Sequence, residues 1–140
     1  MKTTNAATSI AFAQAIPALK SLAKTATMPV VFVGHGSPMN AFEENSLTEQ
    51  WRKLGKSMPT PQVIVVMSAH WVTPNGSYIS SNEQPETIYD FYGFPQELYN
   101  MHYRAPGNTA FAMELSTIHP KIIPSNEWGF DHGTWSVLAQ

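Results

Sequence analysis

The 140-residue chain contains no cysteine. Disulfides, thiolate metal sites and cysteine nucleophiles are therefore excluded, and any metal ion must be held by nitrogen and oxygen ligands. Charged residues make up 13% of the sequence, against roughly 25% in typical soluble domains. The formal net charge is −2, and there is neither a basic patch nor an apolar run near the ~20 residues of a membrane span. We therefore expect no nucleic-acid partner, no membrane partner and a cytoplasmic location.

Hydrophobic residues make up 43% of the chain, which is enough for one domain with a real core. Residues 1–27 are predicted to be an N-terminal extension. Phe12, Ile16, Leu19 and Ala23 are spaced as an amphipathic helical stripe. The stretch lacks the dense apolar core and cleavage site of a signal peptide, so we favour a helix packed on the body over a targeting segment.

Two histidines each follow a short hydrophobic run, and this repeated pattern is the most informative feature. Pro29–Val33 leads into His35, and Val63–Met67 leads into His70. Such runs are typical of buried parallel strands, and ligands bind beyond the carboxyl ends of such strands. If the strands are neighbours, the imidazoles converge and can hold a metal ion. The alternatives are a turn histidine at position 35 and a core histidine at position 70.

The other expected elements are shorter. We predict a helix from a capping box at Ser46 to Gly55, a strand near Tyr78–Ser80, a helix from Pro95 through Met101, a helix capped by Asn108 and ending at His119, a strand over Lys121–Ile123, and a last helix capped by Asp131. The predicted fold is α/β, a partial and mostly parallel sheet flanked by helices. The last helix carries Trp135 and Leu138, which we expect to lack cover.

His132 stands at the start of this last helix, in Gly129-Phe130-Asp131-His132-Gly133. A histidine here can deprotonate an acidic hydroxyl, and the alternative is a second helix-capping group. His102 and His119 are predicted to be ordinary packing and helix-end residues. Two imidazoles alone leave a metal site short of a third ligand. The nearby carboxylates are those of Glu43, Glu44 and Asp131, and none has a spacing that marks it as that ligand.

Four ordered blocks together resemble the class III extradiol ring-cleavage dioxygenases, in the branch similar to DOPA 4,5-dioxygenases. The blocks are Met28 to Asn40, Val65 to Trp71, Asp90 to Pro95 and Gly129 to Trp135. The resemblance covers residues 28–140. Family members are longer, so residues 28–140 are expected to be the N-terminal half of such a catalytic domain.

The resemblance implies that His35 and His70 bind a divalent metal, Fe(II) for catalysis or Zn(II) as bound. It implies that His132 is catalytic and faces a catechol such as a DOPA-like compound, with Phe94 and Asp131 also contacting the substrate. The implied reaction inserts O2 beside the two hydroxyls and opens the ring.

The family's third metal-binding histidine lies in its second half. We therefore expect this chain to bind metal weakly, to show no appreciable activity alone and to self-associate. The alternatives are an inactive metal-binding or interaction remnant and, with less support, a metal-dependent hydrolase.

Overall fold

The computed structural model describes residues 27–140. The predicted N-terminal extension, residues 1–27, therefore lies outside the described residues except for Thr27. Within the described range, every helix is too short or too polar to cross a membrane.

The sheet of the described region is small and parallel. Strand β1, Ser77–Ser80, pairs with strand β2, Ile122–Ser125, in a register that places Ser77 opposite Ile122 and Ser80 opposite Ser125. Two helices, α2 over Gln96–Tyr99 and α3 over Thr109–Ile118, lie between the strands in the chain. Because α3 packs on both strands, the unit is a βαβ arrangement, and the predicted α/β class is confirmed.

Helix α1, Ser46–Ser57, begins one residue before the predicted position. The Asn45 side chain accepts hydrogen bonds from the N–H groups of Leu47 and Thr48, and the Thr48 hydroxyl accepts one from the Asn45 N–H. The capping box therefore starts at Asn45 and not at Ser46. The helix also continues two residues past Gly55, because no left-handed residue ends it there.

The caps predicted for the last two helices are confirmed. The Asn108 side chain accepts from the Phe111 N–H at the start of α3. The Asp131 carboxylate accepts from the Thr134 N–H at the start of α4, His132–Leu138. Short side chains of this type satisfy the free N–H groups of a first helical turn, which is why sequence alone places them well.

The two strands predicted before His35 and His70 are wrong for the described region. Residues 29–33 and 63–67 lie outside the strands, and nothing within residues 27–140 pairs with their backbones. Their side chains are strongly exposed, with Phe32 at 100% and Met67 at 94%. A buried parallel strand needs hydrogen-bonded neighbours and cover on both faces. The described residues supply neither to these two segments.

The core is built around α4 and not around those segments. Trp135 is fully buried, and its indole N–H donates to the Ile88 carbonyl over 3.0 Å. The rings of Tyr89 and Phe91 pack on it at centroid distances of 6.3 and 5.9 Å. The expectation that Trp135 lacks cover is therefore wrong. The loop that precedes α2 folds back over it, a long-range contact that local sequence does not show.

Candidate metal centre

His35, His70 and His132 come together in one cluster. The Nε2 atoms of His35 and His70 are 2.9 Å apart, so the prediction that these two side chains meet is confirmed. The His132 ring lies 4.9 Å from the His35 ring and 4.1 Å from the His70 ring, between centroids. One ring nitrogen of each histidine lies within 4.8 Å of the other two, so the three can hold a metal ion.

A tight turn positions His35. Gly36 adopts a φ of +64°, a conformation that favours glycine, and the chain then enters a short 3-10 helix over Pro38–Ala41. The buried Asn40 side chain donates from its amide nitrogen to the His35 carbonyl over 2.9 Å. This 3-10 helix packs against α4, which brings His35 to the helix that carries His132.

Gly133 allows His70 to approach the first turn of α4. A Cβ at position 133 would lie 2.8 Å from Cδ2 of His70, closer than real Cβ contacts. The glycine after His132 therefore has a physical reason, namely the imidazole that packs against it. This was a usable signal in the sequence, since a glycine in the first turn of a helix is costly unless something approaches its backbone.

Asp131 ties the loop before His70 to the start of α4. Its carboxylate accepts from the Ser68 hydroxyl over 2.8 Å and from the Trp128 indole over 3.1 Å, in addition to capping the helix. The side chain is 1% exposed. The substrate contact expected of Asp131 stays a prediction, and what the geometry shows is a carboxylate engaged by protein groups.

Asp90 contacts two of the three histidines and was not singled out from the sequence. Its Oδ1 accepts from the His132 backbone N–H at 3.0 Å and lies 2.8 Å from Nδ1 of His132. Its Oδ2 lies 3.3 Å from Nδ1 of His70. Burial alone would raise the pKa of Asp90. The hydrogen bonds from His132 lower it and outweigh burial, so the pKa lies below the usual carboxyl value. The carboxylate therefore stays charged beside the cluster.

Aromatic rings line the cluster next to Asp90. The Phe91 ring meets the His132 ring edge to face, with centroids 5.5 Å apart. Phe94 packs on Phe91 at 5.2 Å and is thus one ring further from the histidines. The substrate contact expected of Phe94 stays a prediction, and Phe91 of the same aromatic loop is the ring that contacts His132.

The donor set fits a divalent metal ion. Nδ1 of His35 is buried and has no hydrogen-bond partner among the described residues, and its Nε2 lies 2.9 Å from Nε2 of His70. Burial, followed by the neighbouring His132 and His70, holds the pKa of His35 below its usual value. Neutral imidazoles that converge through ring nitrogens are good ligands for iron and zinc. A carboxylate behind two of them is the outer contact that metal-bound histidines usually have.

The remaining candidate groups lie outside this cluster. His102 lies 3.1 Å from the Tyr89 hydroxyl, and Nδ1 of His119 accepts from the Lys121 N–H. Glu44 forms an exposed ion pair with Arg52. Neither Glu43 nor Glu44 belongs to the group of described residues that can hold a metal. Within the described region, the side chain that joins His35 and His70 in the group able to hold a metal is therefore that of His132.

A cleft of about 730 Å³ in the described region is separate from the cluster. It is lined by residues of the 84–89 and 102–106 segments and by none of the three histidines.

Comparisons with known proteins agree with this geometry. Residues 22–138 match the family described as the catalytic LigB subunit of aromatic ring-opening dioxygenase. The chain belongs to this family. It is 50% identical over 128 residues to the 4,5-DOPA dioxygenase extradiol of Escherichia coli (strain K12), a match that covers 89% of this chain. It is 35% identical over 118 residues to the protein of the same name from Beta vulgaris, covering 76% of this chain.

This LigB-family chain spans about half the length of these relatives. The match covers 47% of the Escherichia coli protein and 42% of the Beta vulgaris protein. Dioxygenases of the LigB family depend on a metal, and the three histidines are the group in residues 27–140 that can bind one.

Proposed function

We propose that this chain carries the N-terminal half of the site of an extradiol dioxygenase, which inserts O2 into a catechol such as a DOPA-like compound. The convergence of three imidazoles on one point is the observation that carries the proposal. The names of the Escherichia coli and Beta vulgaris relatives support the substrate class.

In this proposal His35 and His70 hold the metal ion, Fe(II) for catalysis or Zn(II) as bound. A bound divalent metal lowers the pKa of a hydroxyl that binds to it. His132 faces the catechol and accepts the proton of the second hydroxyl. Its burial at 7% exposure and its contact with the Asp90 carboxylate support this role, because the carboxylate stabilises the imidazolium that forms.

Phe91 and Phe94 form the wall against which the ring of the catechol rests. Phe91 supplies the face next to His132, and Phe94 supports Phe91 from behind. Aromatic pairs of this kind prefer edge-to-face contacts, which suits a flat, electron-rich ligand.

The metal assignment is tested by direct binding to the chain and its variants. Fe(II), supplied anaerobically, and Zn(II) are titrated into the parent chain and into His35→Ala, His70→Ala and His132→Ala, with calorimetry as the readout. We expect the first two variants to lose more than about 100-fold in affinity, since even outer contacts are worth 10–100-fold. His102→Ala is the matched control, because it removes an exposed imidazole that lies outside the cluster. Parent-like affinity in His35→Ala or His70→Ala would refute the assignment.

The reaction is tested by oxygen uptake and by the appearance of a yellow ring-opened product. Two proteins are compared, the 140-residue chain and the same chain continued by the second half of the Escherichia coli relative. We expect turnover of catechols by the continued protein after Fe(II) loading. Ester hydrolysis without oxygen uptake would instead indicate a metal-dependent hydrolase.

The second candidate function is an inactive metal-binding or interaction remnant, which binds a metal through the histidine cluster without turnover. Weak metal binding with no turnover by the 140-residue chain is expected under both proposals. Turnover by the continued protein favours the first, and its absence with intact metal binding favours the second.

Self-association is the partner property that the exposed segments support. Residues 29–33 and 63–67 present apolar side chains and backbone groups that nothing in residues 27–140 pairs with, which are the features through which extended chains pair with one another. We place the self-association surface there, on these two extended segments.

A further inference from the structure

We propose that Asp90 is a positioning residue that sets the orientation and tautomer of both His132 and His70, so that each presents the lone pair of Nε2 to the cluster. This inference deepens the proposed function and rests on it only for its consequence in catalysis. The orientation and the tautomers of the two rings are those of the metal-free chain.

The two oxygens of Asp90 are divided between the two imidazoles. Oδ1 contacts Nδ1 of His132 at 2.8 Å, and Oδ2 lies 3.3 Å from Nδ1 of His70. An ionised carboxylate only accepts hydrogen bonds. Nδ1 of His132, which is hydrogen-bonded to Oδ1, must therefore carry the hydrogen, and this leaves Nε2 of that ring as an acceptor or metal ligand. The nearby Oδ2 favours the same tautomer of His70.

The orientation of His132 is fixed from several sides. Asp90 also accepts from the His132 backbone N–H, so one carboxylate holds both the main chain and the side chain of this residue. The ring of Phe91, which follows Asp90 in the chain, lies against the His132 ring at an interplanar angle of 88°. The imidazole therefore cannot rotate without breaking the contact to Oδ1 and displacing Phe91.

His35 differs from the other two histidines in this respect. Its Nδ1 is buried, and no residue of the described range forms a hydrogen bond with it. Asp90 thus organises two members of the cluster and not the third. If Asp90 is a positioning residue, its loss should affect the His70 and His132 rings and not the fold as a whole.

The test measures the tautomers directly, without metal and without substrate. The chain is labelled with ¹⁵N-histidine, and the ring nitrogen shifts of His70 and His132 are recorded above the ordinary histidine pKa of about 6.5, where the rings are neutral. We expect the Nδ1–H form for both residues. An Nε2–H form of His132 in the parent chain would overturn the proposal without the need for any variant.

Asp90→Asn then removes the acceptor while keeping the size of the side chain. Its amide nitrogen donates where the carboxylate accepted, so at least one of the two rings should change toward the Nε2–H form. Metal affinity should fall by about 10–100-fold, the usual effect of losing an outer contact. Glu86→Gln is the matched control, because it neutralises an exposed carboxylate that is not a member of the cluster.

Unchanged tautomers and unchanged metal affinity in Asp90→Asn would overturn the proposal. If this variant unfolds, as monitored by circular dichroism, the parent measurement still decides. The outcome is also distinct from failure of the proposed function. A chain that never opens a catechol can still show the Nδ1–H tautomers, and an active continued protein can still lack them.

Discussion

Two regions of this molecule have similar apolar character and opposite environments. In the aromatic loop at residues 89–94, Tyr89 and Phe91 pack on Trp135 of helix α4, which is at 0% exposure. Residues 29–33 and 63–67 are as hydrophobic in sequence, yet Phe32 is fully exposed. The difference lies in partners, since the first region packs against its own chain and the second finds no strand within residues 27–140.

The site is assembled across this contrast. His132 and Asp90 come from the packed region, whereas His35 and His70 follow the two exposed segments. Contacts from Asp131 to Ser68 and from α4 to the 3-10 helix join the two parts. The packed region thus holds the group proposed for proton transfer, and the proposed metal ligands follow the two segments that have no strand partner within residues 27–140.

The largest expected effect separates these two roles. In the protein continued by the second half of the Escherichia coli relative, His132→Ala should lower turnover on the order of 10²–10⁴-fold while metal content stays near that of the parent. His35→Ala should lose the metal itself. The measurements are oxygen uptake and metal analysis on the same samples. Equal loss of metal in both variants would make His132 a ligand.

A stability comparison tests the packing difference itself. Trp135→Ala should lower the free energy of unfolding by about 3–5 kcal/mol, because it empties a buried site and leaves the Ile88 carbonyl without its donor. Phe32→Ala should change it by less than about 0.5 kcal/mol, as exposed positions usually do. Urea unfolding of the 140-residue chain measures both. A large effect at Phe32 would show that this segment has a partner in solution.

Self-association should be sensitive to changes in the exposed segments, where we expect the free energy of unfolding to be insensitive. Replacing both Phe32 and Met67 with Asp should weaken association at least about tenfold, since burial of one large apolar side chain is worth roughly 1.5–3 kcal/mol and 1.4 kcal/mol is tenfold. Val72→Asp is the control, because Val72 is apolar and 85% exposed but lies outside both segments. Light scattering at several concentrations gives the result. An equal effect of the control would place the surface elsewhere.

The smallest expected effect concerns pH. The pKa of His35 is lowered by burial and then by His132 and His70, while nearby Asp131 opposes this shift. The unfolded chain therefore takes up a proton before the folded chain does, so stability should fall as the pH drops below about 6.5. The lowered pKa of Asp90 acts in the same direction at still lower pH. Thermal unfolding of the metal-free chain at a series of pH values measures the trend. His35→Ala should reduce the loss of stability that begins just below about pH 6.5.

Local signals in the sequence were sufficient for the caps of α3 and α4, whereas they placed the cap of α1 at Ser46 and not at Asn45. Asn108 and Asp131 were identified as caps from residue type and spacing alone, because the bonds they make span three residues. The two histidines that follow apolar runs were identified in the same way. Their meeting does not depend on the strands predicted before them, because the described region lacks those strands. The family resemblance was also carried by short ordered blocks.

Tertiary structure decided the contacts that join distant parts of the chain. The contact between Asp90 and His132 spans 42 residues, and the one between Ser68 and Asp131 spans 63. No local spacing encodes such pairs. Likewise, an apolar run states that a segment favours burial, but burial needs a partner surface. Trp135 found that surface in the loop at residues 89–94, whereas residues 29–33 and 63–67 found none in the described chain. The hydrophobicity of a segment is set by its sequence, whereas its burial is decided by the fold.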